Sequence, residues 1–399
     1  MPANLRGALA ALACLVPAAS LAAQKSVTLS KPDAEFSDPF TQLNSVRELR
    51  DGRVIVADTR DNTVQLIDFR AGSATKIGRE GQGPGEYALP SKLIAFPGDT
   101  TAIYDQLNAR YLLIGPDGKT GKDFRLDQPA VQGTGGGRVM MIGSSPRGTD
   151  ARGRIYYEAP GFSLSPEGVP QQADTAPIIR YDRATSKSDT IAFVRLPEVK
   201  TQASGGQNNR MVMRMQVPFA PRDEWAVFPD GRVVIVRVAD YHVDSYTAAR
   251  AKTAAPPVKF ERLSVTEADK QELRDARKSA VGMTVRVENG VTTRGAGPPP
   301  SAPNFPEPEY PAFKPPFPQG GAWARPNGEL WVARSRKAGD KVLKLDVFDA
   351  SGTLRGQVAL GPGVRLAGFG NGTVYTLRVD EDDLQYLQRF TIKEGPIVP

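Results

Sequence analysis

The one histidine of the chain, His242, stands between Asp240 and Asp244 in a run of strand-forming residues. At a spacing of two the three side chains share one face of an extended segment, which permits a His–carboxylate hydrogen bond. No G-x-S-x-G turn accompanies it, so a serine-hydrolase triad lacks its nucleophile, and packing within the strand is the expectation. One histidine cannot furnish a His-rich zinc centre. The one cysteine, Cys14, supports neither a disulfide framework nor a thiolate cluster. Acids and arginines remain. Arg60, Asp105, Arg110, Arg334, Arg336 and Arg378 fall in or beside the polar connections between strand-like runs. Arginines gathered on one rim take carboxylate or phosphate through paired N–H bonds, so the expected partner is a small anionic ligand or an acidic protein surface. Arg334 and Arg336 depart from the repeat described below and lead this set. Asp58 and Asp105 occupy equivalent repeat positions, as residues bonded to turn amides would.

Oxygen ligands alone could hold a Ca²⁺-type cation. The acidic turn 380–383 and the loop 58–62 supply carboxylates, but neither has EF-hand spacing. No cofactor is therefore assigned, and calcium is kept as the alternative. The glycine stretch 81–85 superficially resembles a phosphate loop. Pro84 removes an amide donor, no helix follows and no Lys-Ser/Thr pair is present, so it reads as a tight connection.

The segments that must position these residues repeat. The clearest copy runs SVREL, a turn at Asp51-Gly52, VIVAD, a polar loop, and VQLIDF. The turn returns at Gly98, Gly153, Gly231, Gly328 and Gly372, each followed by a strand-like run such as TAIYD, RIYYE or VVIVRV. Six copies at about 44–54 residues, where nothing intervenes, match one four-stranded propeller blade each. With 39 Gly and 34 Pro among 399 residues the composition is also turn-rich. The expected fold is all-β: a six-bladed propeller with long loop insertions and one short surface helix. Two packed β-sandwiches are the competing architecture, and they do not require the same turn at a near-constant period. The last copy lacks a strand after Lys393, and SVTLS at 26–30 is expected to supply it.

GREGQGPGEY at 78–87, the DGR-VIVAD pattern, TEADKQEL after a strand, and YPAF ahead of PNGELWVAR resemble bacterial secreted six-bladed β-propellers of the NHL-like group. The resemblance spans nearly the whole chain after residue 22 and implies fold rather than activity. Lyases of the NHL type use several histidines, which this chain lacks. Other secreted propellers hydrolyse lactones around one divalent cation held by Glu, Asn and Asp, and those ligands have no matching motif here.

Residues 1–22 place Arg6 ahead of a short Ala/Leu-rich run and a cluster of small residues, the order of a secretory signal cleaved near Ala22. The run falls short of the ~20 residues of a membrane helix, so no transmembrane segment is expected after cleavage. Residues 23–399 form the expected single domain, with insertions at 158–175, 197–222 and 264–318 that map to one face. Within the last, residues 266–282 read as a helix capped by Thr266 with an apolar stripe at Leu273, Ala276 and Ala280. Residues 298–318 hold ten prolines interleaved with Phe305, Tyr310, Phe313 and Phe317, an extended strap expected to tuck its aromatics between blades. The formal charge is +7 without a dense Lys/Arg run, so nucleic acid is not an expected partner. The expected function is a periplasmic or secreted binding or scaffolding module, monomeric or an accessory subunit, recognising a protein or small anion on the insertion-bearing face. A cation-dependent lactone- or sugar-directed hydrolase or lyase is the enzymatic alternative, and a structural subunit of an envelope complex the third.

Overall fold

A computed structural model describes residues 25–126, 145–164, 170–204, 211–279, 282–288, 291–297, 309–392 and 397. The leader-like segment 1–22 lies outside the described residues, as does Phe305 of the strap. Runs of β-branched and aromatic residues broken by glycine turns pair into six four-stranded antiparallel sheets around an axis. Blade one consists of Leu43–Glu48, Val54–Asp58, Thr63–Asp68 and Ser73–Lys76. Blade two is Pro90–Phe96, Thr100–Asp105, Arg110–Ile114 and Thr120–Phe124. Blade three is Pro146–Thr149, Ile155–Glu158, Thr175–Asp182 and Lys187–Arg195, and blade four is Glu224–Val227, Val233–Arg237, His242–Tyr246 and Lys252–Ala254. Blade five has Ala322–Ala324, Leu330–Ala333, Lys344–Phe348 and Leu354–Leu360, and blade six has Val364–Phe369, Thr373–Val379 and Gln385–Thr391. The fold is the expected six-bladed propeller.

The turn between the first two strands of each blade requires a left-handed residue. Gly231 has φ +82°, and a Cβ there would lie 3.1–3.2 Å from the Arg154, Tyr156 and Asp150 side chains of blade three. The glycine thus serves both the turn and the close approach of the neighbouring blade. Alternate residues of the second and third strands bury on opposite faces of each sheet. Leu49, Ile55, Tyr87 and Ile103 pack between blades one and two, and Phe228, Tyr241, Leu330 and Phe348 between blades four and five. Each large apolar side chain so enclosed contributes about 1.5–3 kcal/mol.

The ring closes differently from the expectation. Lys25–Leu29, the SVTLS segment, adds a parallel fifth strand to the outer edge of blade five, pairing Val27 with Val358. The fourth strand of blade six is Ala34–Glu35, antiparallel to Gln385–Thr391. Pairing with blade five sets Val27 and Leu29 beside the apolar cluster of blades five and six. Phe36 and Phe40 then enter the cluster between blades six and one. Leu43 N–H donates to Gln385 Oε1 at 2.9 Å, and Glu48 of blade one accepts from Tyr375 O–H at 2.5 Å and Asn371 N–H at 3.0 Å of blade six. Among the described residues no helix is long and apolar enough to cross a membrane.

Phe36 is buried at the seam, so Phe36→Ala should lower unfolding stability by about 3–5 kcal/mol in denaturant titration. Phe193→Ala, removing a ring more than half exposed, should change it by less than about 0.5 kcal/mol.

Candidate functional site

Three long connections interrupt or separate the blades. A hairpin of Phe162–Leu164 and Pro170–Gln172 joins the middle strands of blade three. A second, Val199–Ser204 with Met211–Gln216, precedes blade four. The helix Glu267–Ser279, the hairpin Gly282–Glu288 with Val291–Gly297, and the strap precede blade five. These connections leave and re-enter the sheets at the same ends of the strands and so stand on one face of the ring.

The helix begins in a reciprocal cap. Thr266 Oγ1 accepts from Asp269 N–H at 3.3 Å, and Asp269 Oδ2 accepts from Thr266 N–H at 2.8 Å. The strap holds the chain just ahead of this cap: Val265 N–H donates to Ala312 O at 3.0 Å, and Lys314 N–H to Leu263 O at 2.8 Å. Lys314 pairs with Asp269, both buried, and donates to Arg336 O at 2.6 Å. Burial alone would raise the Asp269 carboxyl, but the Lys314 ammonium and the Thr266 bonds outweigh it and hold the pKa below the ordinary value. This pairing stabilises the docked helix above the ordinary carboxylate range, and the contribution is lost as pH falls through the lowered pKa. Phe317 is buried against Tyr241, ring centroids 5.5 Å apart, as the strap was expected to do. Phe313 instead lies exposed beneath the Arg262 guanidinium.

Between helix, strap and blade five lies a cleft of about 360 Å³ walled by Phe219, Leu273, Ala276, Phe317 and Leu343, with Arg334 and Arg336 at one side. A second cavity, about 440 Å³, shares Arg334 and Arg336 and has Lys344 and Gln357 in its wall. Arg334 is anchored through one atom. Its Nε lies 2.7 and 2.9 Å from the two oxygens of Asp346, a fully buried carboxylate that also accepts from Tyr241 O–H at 2.5 Å and Gln357 Nε2 at 2.8 Å. Burial and the adjacent Asp346 charge push the Tyr241 phenol far above its ordinary pKa, so it stays protonated as the donor. No described residue takes the terminal Nη nitrogens of Arg334. Arg336 is engaged: its Nη2 pairs with Glu272 of the helix, and Nη1 donates to Asp340 O at 2.8 Å.

Of the six residues expected to share a rim, Arg334 and Arg336 are the two that line this cleft. Arg110 turns away, donating to Asp123, Gly83 O and Glu86 O, and thereby clamps the glycine stretch as a tight connection. Asp105 is buried and accepts from Leu89 N–H at 3.0 Å and Asn108 Nδ2 at 2.6 Å. Asp58 does the same in blade one, bonded to the Thr41 and Gln42 amides. Arg60 is exposed and bonds through its backbone amide to Asp58. Arg378 is held bidentately by Glu35 on the outer part of blade six. His242 Nδ1 lies 2.5 Å from Asp240 Oδ1 and its Nε2 3.3 Å from Asp244 Oδ1, with Arg237 and Lys252 also on Asp244. Asp380 Oδ1 accepts from the amides of Asp382 and Leu384 within its own turn. Among the described residues no group of three or more His, Cys, Asp or Glu side chains could share a metal ion.

A second polar cluster, absent from the sequence-based set, lies beside the cleft at the head of the central channel. Glu224, fully buried at the start of the inner strand of blade four, accepts from Arg147 Nη2 at 2.9 Å, Arg222 Nε at 3.0 Å and Gly320 N–H at 2.9 Å. Glu158 accepts from Arg222 Nη2 at 2.8 Å and Trp225 Nε1 at 2.6 Å. Arg222 lines the cleft and Arg147 lines the channel, so the two carboxylates stand between the cavities. The only sequence signal was a charge at the opening of an inner strand, Arg147 after Pro146 and Glu224 before Trp225.

No family model matches the chain, and no curated protein matches it. Solved structures similar to it include a member of the DUF4221 family from Bacteroides vulgatus, at 8% identity and TM-score 0.45, covering 92% of this chain and 98% of that one. Regucalcin from Agrobacterium tumefaciens, a calcium-binding protein, matches at 11% identity and TM-score 0.39, covering 93% and 99%. A gluconolactonase from Xanthomonas campestris matches at 12% identity and TM-score 0.39, covering 89% and 91%.

Glu224→Gln removes the charge shared by the buried Arg222 and the half-buried Arg147. It should lower unfolding stability by about 3 kcal/mol, read as a fall in melting temperature, because the arginines are left without that counterion.

Proposed function

We propose that this chain is an exported propeller that binds a small amphipathic organic anion in the cleft beneath the helix, acting as a binding module. The observation that carries this reading is Arg334. Its Nε is fixed on the buried Asp346, while among the described residues its two Nη groups have no partner in the wall of the cleft. A guanidinium oriented in this way pays little conformational entropy to receive a carboxylate or sulfonate. The opposite walls, Phe219, Leu273, Ala276 and Leu343, suit an apolar body. A cleft of about 360 Å³ has the size of a small-molecule site. Export rests on the leader-like residues 1–22.

The probe is 8-anilinonaphthalene-1-sulfonate, an aromatic anion whose fluorescence reports its binding. We expect saturable binding at one site per chain, displaced by decanoate. Arg334→Lys keeps a cation for Asp346 but removes the fork, and it should weaken binding about tenfold with little change in melting temperature. Leu273→Asp, on the helix side of the cleft, should abolish binding. Unsaturable fluorescence, or equal affinity in both variants, would refute the reading.

A further inference from the structure

The central channel holds a further cavity, about 450 Å³, walled by the inner strands of all six blades. Lys92 on blade two lines it. Among the described residues this ammonium has neither an ion pair nor a hydrogen bond, whereas the neighbouring Arg147 is fixed by Glu224 and Glu158. Ser45 of blade one, also in the wall, accepts from Leu93 N–H at 3.0 Å, which leaves its own proton to donate. The charged groups around Lys92 can be taken blade by blade. Blade three contributes Arg147 and Glu158, and blade four Glu224 with Arg222 just ahead of it. The wall from blade six, Ala367, Gly368 and Phe369, carries no charged side chain, and Arg365 near the start of that strand is exposed. The cavity walls from blades one and five carry no charged side chain. Lys92, Arg147 and Arg222 face two carboxylates, so a protonated Lys92 leaves a positive excess.

We propose that this channel cavity is a binding site for a small dianion bearing carboxylate or sulfate-type oxygens, received by Lys92 with Arg147 and Ser45 beside it. It is separate from the cleft beneath the helix and does not rest on that site. Desolvation by the surrounding blades lowers the Lys92 pKa to about 7, the Arg147 charge pushes it in the same direction, and Glu158 partly offsets them. A bound anion supplies the missing counter-charge and raises that pKa, so binding near pH 7 takes up a proton. Affinity therefore rises as pH falls through the Lys92 range.

The test is calorimetry of the whole protein with sulfate and, separately, succinate, in buffers of different ionisation enthalpy. Binding of either supports the proposal and tells which oxygen chemistry the channel prefers. We expect uptake of about half a proton at pH 7, and about tenfold weaker affinity at pH 8 than at pH 6. Lys92→Met should lose at least about tenfold in affinity together with the proton uptake. Lys92→Arg, which keeps its charge at every pH used, should bind while losing the proton uptake and the pH dependence. Arg334→Lys should leave this binding unchanged, which separates it from the cleft. No heat from either anion at about 10 mM, or equal affinity and proton uptake in Lys92→Met, would overturn the proposal. If Lys92→Met fails to fold, a Lys92→Arg protein that still takes up protons would overturn it.

Discussion

Each blade of this protein is apolar on two faces, and no blade can cover both by itself. The one arrangement that covers all twelve faces without an exposed sheet edge at the centre is a closed ring. Everything else depends on that closure. It places the inner strands of all six blades around one channel, and it puts the long connections before blades four and five side by side. The closure is made by the first described residues. Lys25–Leu29 lies on blade five, Ala34–Glu35 completes blade six, and Phe36 and Phe40 seat themselves in the seam with blade one. Glu48 then ties the inner strand of blade one to the turn and second strand of blade six.

A closed ring also concentrates charge. Inner strands converge at the channel, and an unpaired charge held between packed sheets is costly, so a polar side chain there finds a partner or shifts its protonation. Glu224 and Glu158 find partners in Arg147, Arg222 and the Trp225 indole. Farther out, on the third strand of blade five, Asp346 finds Arg334, Tyr241 and Gln357. Lys92 finds none among the described residues, and its ammonium is easy to deprotonate. The contrast separates two uses of arginine in this molecule. Arg110 and Arg378 are saturated by carboxylates and carbonyls and serve the scaffold. Arg334 spends one nitrogen on the scaffold and keeps two.

Much of the architecture was legible because it is local. A glycine with positive φ follows the first strand of every blade, and the β-rich runs after it declare themselves by composition. The helix was legible for the same reason: Thr266, Asp269 and the 273/276 spacing lie within three turns of one another. The closing strand was not. SVTLS looks like an edge strand and is one, but on blade five. The two-residue strand Ala34–Glu35 has no pattern of its own and forms because the seam aromatics fix its position. Of the rim arginines, Arg334 and Arg336 stood out by departing from the repeat, whereas Arg60, Arg110 and Arg378 looked the same in sequence and went elsewhere.

The sequence by itself determined the number of blades, the turns that begin them, and which connections are long. These follow from hydrogen bonding and burial between residues near in the chain, repeated six times. Only the tertiary structure decided which charges meet. Arg147 and Glu224 are 77 residues apart, and Lys92 sits in an ordinary strand run, PSKLIAF. The partners of such residues are set by which strands the ring brings to its axis, and no local spacing encodes that distance.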